Sequence, residues 1–146
     1  MSAARAQLIP HEEREALIAI YNATGGPNWT TNYHWLSEWG TEDSWYGVTL
    51  SADFKHVVAL DLEHNNLVGY LPDEIGDLTE VYDLDLSGNK LEGTLPASMT
   101  NLFMNWKLDL SRNQFSGPIP DWLGYFVSEE MNLSENQFSG PIPDFF

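Results

Sequence analysis

Three aspartates recur at one position of a repeated segment, and they are the side chains whose spacing is best suited to chemistry. Asp61, Asp85 and Asp109 are each 24 residues apart. On neighbouring strands of a parallel sheet, consecutive carboxylates would lie about 4.8 Å apart and alternate ones about 9.6 Å apart. The second spacing is close to the separation of acid and base in inverting glycosidases. Such an enzyme also needs a cleft that raises the pKa of one carboxyl group, and the sequence predicts no cleft.

The same carboxylates are candidate ligands for Ca²⁺, which binds oxygen. A flat ladder of aspartates supplies fewer than the six to eight oxygens that Ca²⁺ takes, so no metal site is predicted. The chain has no cysteine, and its four histidines lack the spacing of metal ligands. The sequence also lacks a nucleophile elbow and a phosphate-binding loop. We therefore predict a protein without enzymatic activity and without a cofactor.

The aspartates belong to a segment that occurs four times. Its first three copies read L-D-L-x-x-N, the last reads M-N-L-x-x-N, and a glycine and Leu-Pro or Ile-Pro follow in each. The asparagines are 24, 24 and 23 residues apart, at Asn65, Asn89, Asn113 and Asn136. This period and motif resemble the leucine-rich repeat signature. We predict an α/β solenoid, a short right-handed coil with a parallel, concave β-sheet and an N-terminal helical cap.

Each residue type in the repeat has a predicted structural role. The leucines of L-x-L should point inward and the residues between them outward. The asparagine amides should satisfy backbone groups where the chain leaves the sheet. The glycines permit a bend with positive φ, and the apolar pairs spaced three apart, such as Ile75 and Leu78, predict short helical turns on the outer side.

Residues 1–56 are predicted to form the cap and residues 57–146 the four repeats, with no C-terminal cap. A helix is expected from about 10 to 22, with Glu12, Glu13 and Glu15 placed in its first turns by the helix dipole. Four of the six tryptophans lie between Trp29 and Trp45. We expect them to cover the apolar end of the first repeat, while sugar binding is the alternative.

The motif N-x-L-x-G-x-I-P resembles the plant-type subclass of leucine-rich repeats, which occurs in receptor-like, bacterial and protist proteins. The segment from Glu15 to Trp29, followed by W-Y-G-V, resembles the cap of that group. Asp43 and Leu50 stand where the plant receptors usually carry two cysteines, as in the cysteine-free microbial and protist versions. The resemblance implies recognition of a protein or another ligand on the concave sheet.

Outward positions of the predicted strands supply the candidate binding residues. They combine a stripe of carboxylates with an aromatic edge, a composition typical of interaction hot spots. A carbohydrate-binding or glycosidase-inhibitor protein that uses the exposed aromatics is the alternative, and a structural subunit of a larger assembly is a third reading. The candidates are Asp61, His64, Tyr82, Asp83, Asp85, Trp106, Lys107, Asp109, Arg112 and Glu130.

The C-terminal repeat exposes an apolar end that offers a second contact. Either its last phenylalanines fold back over the stack, or another chain covers the edge by self-association, or the natural chain continues. The residues concerned are Phe138, Ile142, Phe145 and Phe146.

The formal charge of −16 narrows the choice of partners. It disfavours nucleic acid and anionic membranes, since both need clustered Lys and Arg, and it favours a basic protein. No run is long enough to insert in a membrane. The lack of cysteine and of a visible signal peptide favours the cytoplasm, whereas the resemblance leaves a secreted or cell-surface location open.

Overall fold

A computed structural model describes residues 8–103, 106–126 and 128–145. The described residues form one α-helix and nine short strands, which confirms the α/β solenoid. The elements are α1 (His11–Ala23), β1 (Val48–Leu50), β2 (Val57–Asp61), β3 (Val68–Tyr70), β4 (Asp83–Asp85), β5 (Lys90–Gly93), β6 (Lys107–Asp109), β7 (Gln114–Pro118), β8 (Glu130–Asn132) and β9 (Gln137–Ser139). None of the described helices is long and apolar enough to cross a bilayer.

The main sheet has five strands in the order β1-β2-β4-β6-β8. β1 is antiparallel to β2, and the other neighbours are parallel, so each L-x-L unit pairs with the same unit of the next repeat. A second parallel sheet, β3-β5-β7-β9, follows the bend after each asparagine. The sequence analysis predicted only a glycine bend there. The second sheet is a feature it missed.

The core follows the leucines of the repeats. Leu60, Leu84 and Leu108 have at most 1% of their surface exposed, whereas Met131 and Leu133 in the last described repeat are half-buried. Short 3₁₀ turns return the chain on the outer side, as the apolar pairs spaced three apart predict. They are Asp73–Asp77, Ala97–Asn101 and Asp121–Tyr125.

The asparagine ladder has the predicted role. The side-chain amide of Asn89 donates to the carbonyls of Leu62, Leu86 and Ser87, and its oxygen accepts from the amides of Asn65 and Leu67. Asn113 and Asn136 likewise tie their repeats to the preceding one, and Asn65 ties the first repeat to Thr31 of the cap. This bonding holds consecutive strands in register.

The cap closes the N-terminal end of the stack. Trp29, Trp35 and Trp45 are buried in one aromatic cluster, with Trp29 and Trp35 ring centroids 4.9 Å apart, while Trp39 remains 43% exposed beside His11. Burial of three of these four tryptophans agrees with a packing role. Helix α1 packs against the turn Asp73–Asp77.

Charged side chains fix the cap to the stack. The Glu13 carboxylate is buried, accepts from the amide of Val57 at 2.7 Å and contacts the His56 ring at 2.8 Å. Glu13 thus joins helix α1 to the first residue of β2. The prediction that it serves mainly the helix dipole was incomplete, because a contact 44 residues away cannot be read from local sequence.

Candidate functional site

Two rows of side chains cross the solvent side of the five-stranded sheet, which we call the ladder face. The pairing of β2, β4, β6 and β8 aligns Asp61, Asp85, Asp109 and Asn132 in one row. The same pairing aligns a second row, Ala59, Asp83, Lys107 and Glu130. The ladder face therefore brings together the strand residues that the sequence proposed for binding.

In the first row, each aspartate carboxylate accepts a hydrogen bond from the residue two positions later in the chain. One carboxylate oxygen of Asp85 accepts from the amide of Ser87 at 3.0 Å and from its hydroxyl at 2.6 Å. Asp109 accepts the same two bonds from Ser111, whereas from the described residues Asp61 accepts a bond only from the amide of Glu63. The D-x-S pattern of Asp85–Ser87 and Asp109–Ser111 is the signal that could have predicted this turn.

Lys107 forms the central ion pair of the ladder face. Its Nζ lies 2.7 Å from the second carboxylate oxygen of Asp85. Asp85 lies on the neighbouring strand β4, two residues after Asp83, which is paired directly with Lys107. Diagonal neighbours in a sheet are about 7–8 Å apart between backbones, which a lysine spans. Asp85 is buried and already paired, so a partner meets it only through Lys107.

The pair shifts both titrations. Burial raises the pKa of Asp85, but hydrogen bonds from Lys107 and Ser87 outweigh burial and hold that pKa below its ordinary value. The hydrogen bond to Asp85 raises the pKa of Lys107, although burial opposes it. The charged forms of both groups are therefore stabilised in the folded state.

The pKa of Asp83 is shifted in the opposite direction. Burial raises the pKa of its carboxyl group above the ordinary value, Lys107 opposes the shift, and Asp61, Asp85 and Glu130 add to it. Among the described residues the Asp83 side chain accepts no hydrogen bond and forms no close ion pair. It is a half-buried carboxylate that lies near Lys107 and three other carboxylates.

Replacing Lys107 by methionine is expected to lower the free energy of unfolding by about 1–2 kcal/mol at about pH 7, because Asp85 loses its cation but keeps the Ser87 bonds. Since the folded-state pKa of Asp85 is lowered, its contribution is present above the ordinary aspartate pKa and is lost as the pH falls through the folded value. The raised pKa of Lys107 makes its contribution present below the ordinary lysine pKa and lost above the folded value. Urea unfolding at a series of pH values should therefore show the difference between the two proteins narrowing in acid. A constant difference down to low pH would contradict the pairing.

An aromatic pair borders the same rungs. Tyr82 and Trp106 directly precede β4 and β6, and their ring centroids are 6.1 Å apart. Trp106 is 57% exposed. A large ring held in water beside charged groups is available for a partner.

The residues after the strands continue the ladder with left-handed backbone. His64, Arg112 and Glu135 all have φ near +50°, and Gly88 has φ +66°. A Cβ at Gly88 would overlap the His64 ring, so the ring packs on bare backbone there. The Arg112 side chain lies 3.4 Å from Glu135, and both side chains are exposed.

The structure adds two exposed tyrosines that the sequence analysis did not single out. The amide of Tyr46 donates to the carbonyl of Tyr33, and the next residue, Gly47, accepts from the amide of Asp61. Tyr33 is 70% exposed. Through Gly47, the backbone of this segment lies beside the Asp61 end of the ladder face. Their exposure depends on the fold of the cap loop, which the sequence pattern did not reveal.

Among the described residues, the carboxylates at this end are the group whose spacing could hold a metal ion. Asp61, Glu63 and Asp85 can bring one oxygen each within 4.8 Å of one another. Lys107 already occupies the free oxygen of Asp85, and the cluster supplies fewer oxygens than Ca²⁺ takes. The arrangement therefore suits a cationic side chain better than an ion.

The residues predicted for an end-on contact are distributed over the last described repeat. Phe138 is half-buried and stacks on Phe115, with 6.4 Å between centroids. A Cβ at Gly124 would lie 2.6 Å from the Phe145 ring, so Phe145 folds back onto the turn Asp121–Tyr125. Ile142 is 71% exposed, and Phe146 lies outside the described residues.

Comparison with protein families places these features in context. A family model described as Leucine Rich Repeat matches residues 56–78, 81–102, 106–126 and 129–146. A search of curated proteins found no match. Solved structures, in contrast, gave many matches.

Three of the similar structures cover most of this chain. A chain from the PEPR1–AtPEP1 structure is 29% identical over 93% of this chain, with a TM-score of 0.77. A chain from the BIR3–SERK2 complex of Arabidopsis thaliana is 27% identical over 89%, with a TM-score of 0.75. The BIR2 ectodomain from Arabidopsis thaliana is 27% identical over 94%, with a TM-score of 0.79. The present chain spans 19% of the first of these chains, 72% of the second and 74% of the third.

Proposed function

The chain belongs to the leucine-rich repeat family, and on that premise we propose that it is a non-catalytic recognition module that binds a protein partner through the ladder face. Repeats of this family match more than half of the chain. Two of the similar structures are complexes, of PEPR1 with AtPEP1 and of BIR3 with SERK2. They support a role in protein interaction, since the chain shares the fold of proteins seen with partners.

The exposed Trp106 beside Tyr82 is the observation that carries the proposal. Tryptophan and tyrosine are enriched among residues that dominate binding energy. Here the two rings adjoin the second row of the ladder face, which carries Asp83, Lys107 and Glu130. The combination offers apolar contact area together with charges that orient a partner.

The charge of the ladder face favours a basic partner. Besides the single cation Lys107, the two rows carry four further carboxylates, Asp61, Asp83, Asp109 and Glu130. The whole chain has a formal charge of −16. Complementary charge raises the rate of association and rejects acidic partners. The partner in this proposal is thus a protein segment with a net positive charge.

Binders selected from a displayed library of random peptides test the proposal. Replacing Tyr82 and Trp106 together by alanine should weaken the selected peptides about thirtyfold, the loss of roughly 2 kcal/mol typical of a hot spot. Fluorescence anisotropy of labelled peptides gives the affinities. Tyr125→Ala is the matched control, because Tyr125 is 83% exposed but lies in the turn Asp121–Tyr125, away from the ladder face.

Unchanged affinity in the double variant would place the binding site elsewhere. A carbohydrate-binding or inhibitor function is the alternative that the exposed rings of Trp106 and Tyr33 favour. A glycan array screened with the same protein separates the two, since this alternative requires sugar hits that depend on the rings. Self-association is a separate alternative supported by exposed Ile142, and light scattering over a range of concentrations tests it.

A further inference from the structure

The Lys107–Asp85 ion pair shows how the ladder face binds a cationic group. Lys107 lies opposite Asp83 in the strand pairing and reaches diagonally to Asp85. One oxygen of Asp85 is held by Ser87, so the other remains for the ammonium group. The second carboxylate oxygen of an aspartate in this row is therefore the position at which a cation binds.

The two adjacent rungs repeat the aspartate but not the cation. Asp83 occupies the position diagonal to Asp61 that Lys107 occupies relative to Asp85, and Glu130 occupies it relative to Asp109. In both places a carboxylate replaces the lysine. Two sites on the ladder face thus have the geometry of the Asp85 site with the charge of the neighbour reversed.

The free oxygens at these two sites have no partner in the described part of the chain. Asp61 and Asp109 each use one oxygen for the turn that follows, and neither second oxygen accepts a hydrogen bond. Asp61 is exposed and Asp109 is half-exposed. Each site also has a second carboxylate, Asp83 beside Asp61 and Glu130 beside Asp109, so one bound cation would neutralise repulsion between two groups.

We propose that the partner is a basic segment that places two cationic side chains on the Asp61–Asp83 and Asp109–Glu130 sites, one on each side of Lys107. The proposal rests on the proposed function, since it specifies the partner of the same face. The sites are two rungs apart, about 9.6 Å. A polyproline II segment rises about 3.1 Å per residue with three residues per turn, so positions i and i+3 share a face about 9.3 Å apart.

Lys107 also restricts what can lie between the sites. Its ammonium group occupies the middle rung, where a third cation would be repelled. In a polyproline II segment the residues i+1 and i+2 point away from that face. The favoured sequence is therefore a pair of Arg or Lys residues separated by two uncharged ones.

Synthetic proline-rich peptides test the spacing directly. One carries arginines at positions i and i+3, and an isomer of the same composition carries them next to each other. Titration at low salt should show the i, i+3 peptide binding about fivefold more tightly, because the isomer forms only one of the two ion pairs. Replacing both arginines by citrulline should cost about fivefold for each lost pair.

Variants that supply the missing cation test the site from the protein side. Asp83→Lys should reach Asp61 as Lys107 reaches Asp85, and Glu130→Lys should do the same for Asp109. Each variant should weaken the i, i+3 peptide about fivefold or more. Asp73→Lys changes the charge equally in an exposed turn away from the sheet and should change the peptide affinity less.

The outcomes separate this proposal from the proposed function. Equal affinity for the two isomers, or equal effects of Asp83→Lys and Asp73→Lys, overturns the two-site proposal. Library peptides that depend on Tyr82 and Trp106 but lack paired basic residues would leave the binding face intact and overturn only its assignment to a basic segment. Loss of the i, i+3 preference in Asp83→Lys, with the preference retained in Asp73→Lys, supports it.

Discussion

Replacing Arg14 by methionine is expected to lower the free energy of unfolding by about 3–4 kcal/mol. The Arg14 guanidinium forms an ion pair with Glu42, donates to the carbonyl of Ser37 at 2.7 Å and lies 4.9 Å from the centroid of the Trp45 ring. Glu42 has only 1% of its side chain exposed. Removing the cation leaves a buried carboxylate without a charged partner, the change that costs most in a buried pair.

The exposed Arg112–Glu135 pair supplies the control for this measurement. Its side chains are 60% and 66% exposed, so Arg112→Met should change stability by at most about 0.5 kcal/mol. Urea unfolding followed by tryptophan fluorescence reports on the cap, where Trp29, Trp35 and Trp45 are buried. A loss for Arg14→Met no larger than that of the control would mean that Glu42 is satisfied without arginine.

A second variant separates the charge from the packing. Arg14→Met combined with Glu42→Gln removes both charges. The glutamine side-chain oxygen can still accept from the backbone amide of Gly40, which donates to Glu42 at 2.9 Å in the unsubstituted protein. Because a neutral pair avoids the buried charge, this double variant should recover part of the lost stability. Equal stability of the single and double variants would show that lost packing of the arginine stem, rather than charge, is the cause.

Sequence periodicity predicts the repeats because the same contacts recur in every turn of the solenoid. The L-x-L leucines, the asparagine ladder and the left-handed glycines occupy fixed positions of the 24-residue period, so each copy supports the others. The strand pairing that aligns Asp61, Asp85 and Asp109 follows from the same period. The rows of the ladder face were predictable for this reason.

Contacts that occur once could not be predicted in this way. Arg14 and Glu42 are 28 residues apart and lie outside the repeats, so no periodic pattern brings them together. The sequence analysis assigned Glu13 to the helix dipole, although its carboxylate is buried against β2. Buried charges of this kind depend on how the cap loop folds over the helix.

The sequence analysis predicted that Asp85 and Lys107 lie on one surface, but it did not predict their ion pair. Their contact is diagonal across two strands and requires both the register and the length of the lysine stem. Asp85 consequently becomes buried, although its alternate position on the strand predicts exposure. The second sheet was missed because its strands are only three to five residues long, and β3, β5 and β7 each contain a glycine with positive φ, which obscures alternation.

Replacing Asn89 by alanine is expected to cost about 3–5 kcal/mol, the second large effect. The side-chain NH2 group lies within hydrogen-bond distance of three carbonyls, two of which share one N–H, and the side-chain oxygen accepts two bonds. All five partners are backbone groups of the same or the preceding repeat. Alanine fills none of these roles, and each buried group left unpaired costs about 1–3 kcal/mol where water cannot replace the amide. Several of the freed groups can rearrange, so the loss stays below the sum.

Asn136 tests whether burial or the hydrogen bonds themselves set this cost. It makes the same three donor contacts, with the carbonyls of Leu110, Leu133 and Ser134, but it is half-exposed. Water can replace its amide, so Asn136→Ala should cost only about 1 kcal/mol in the same urea titration. If the two variants lose equal stability, burial is not the deciding factor. A larger loss for Asn89 would show that the asparagine ladder stabilises the solenoid by excluding water from its hydrogen bonds. Its contribution is then largest at the middle repeats, where the Lys107–Asp85 ion pair depends on strand register.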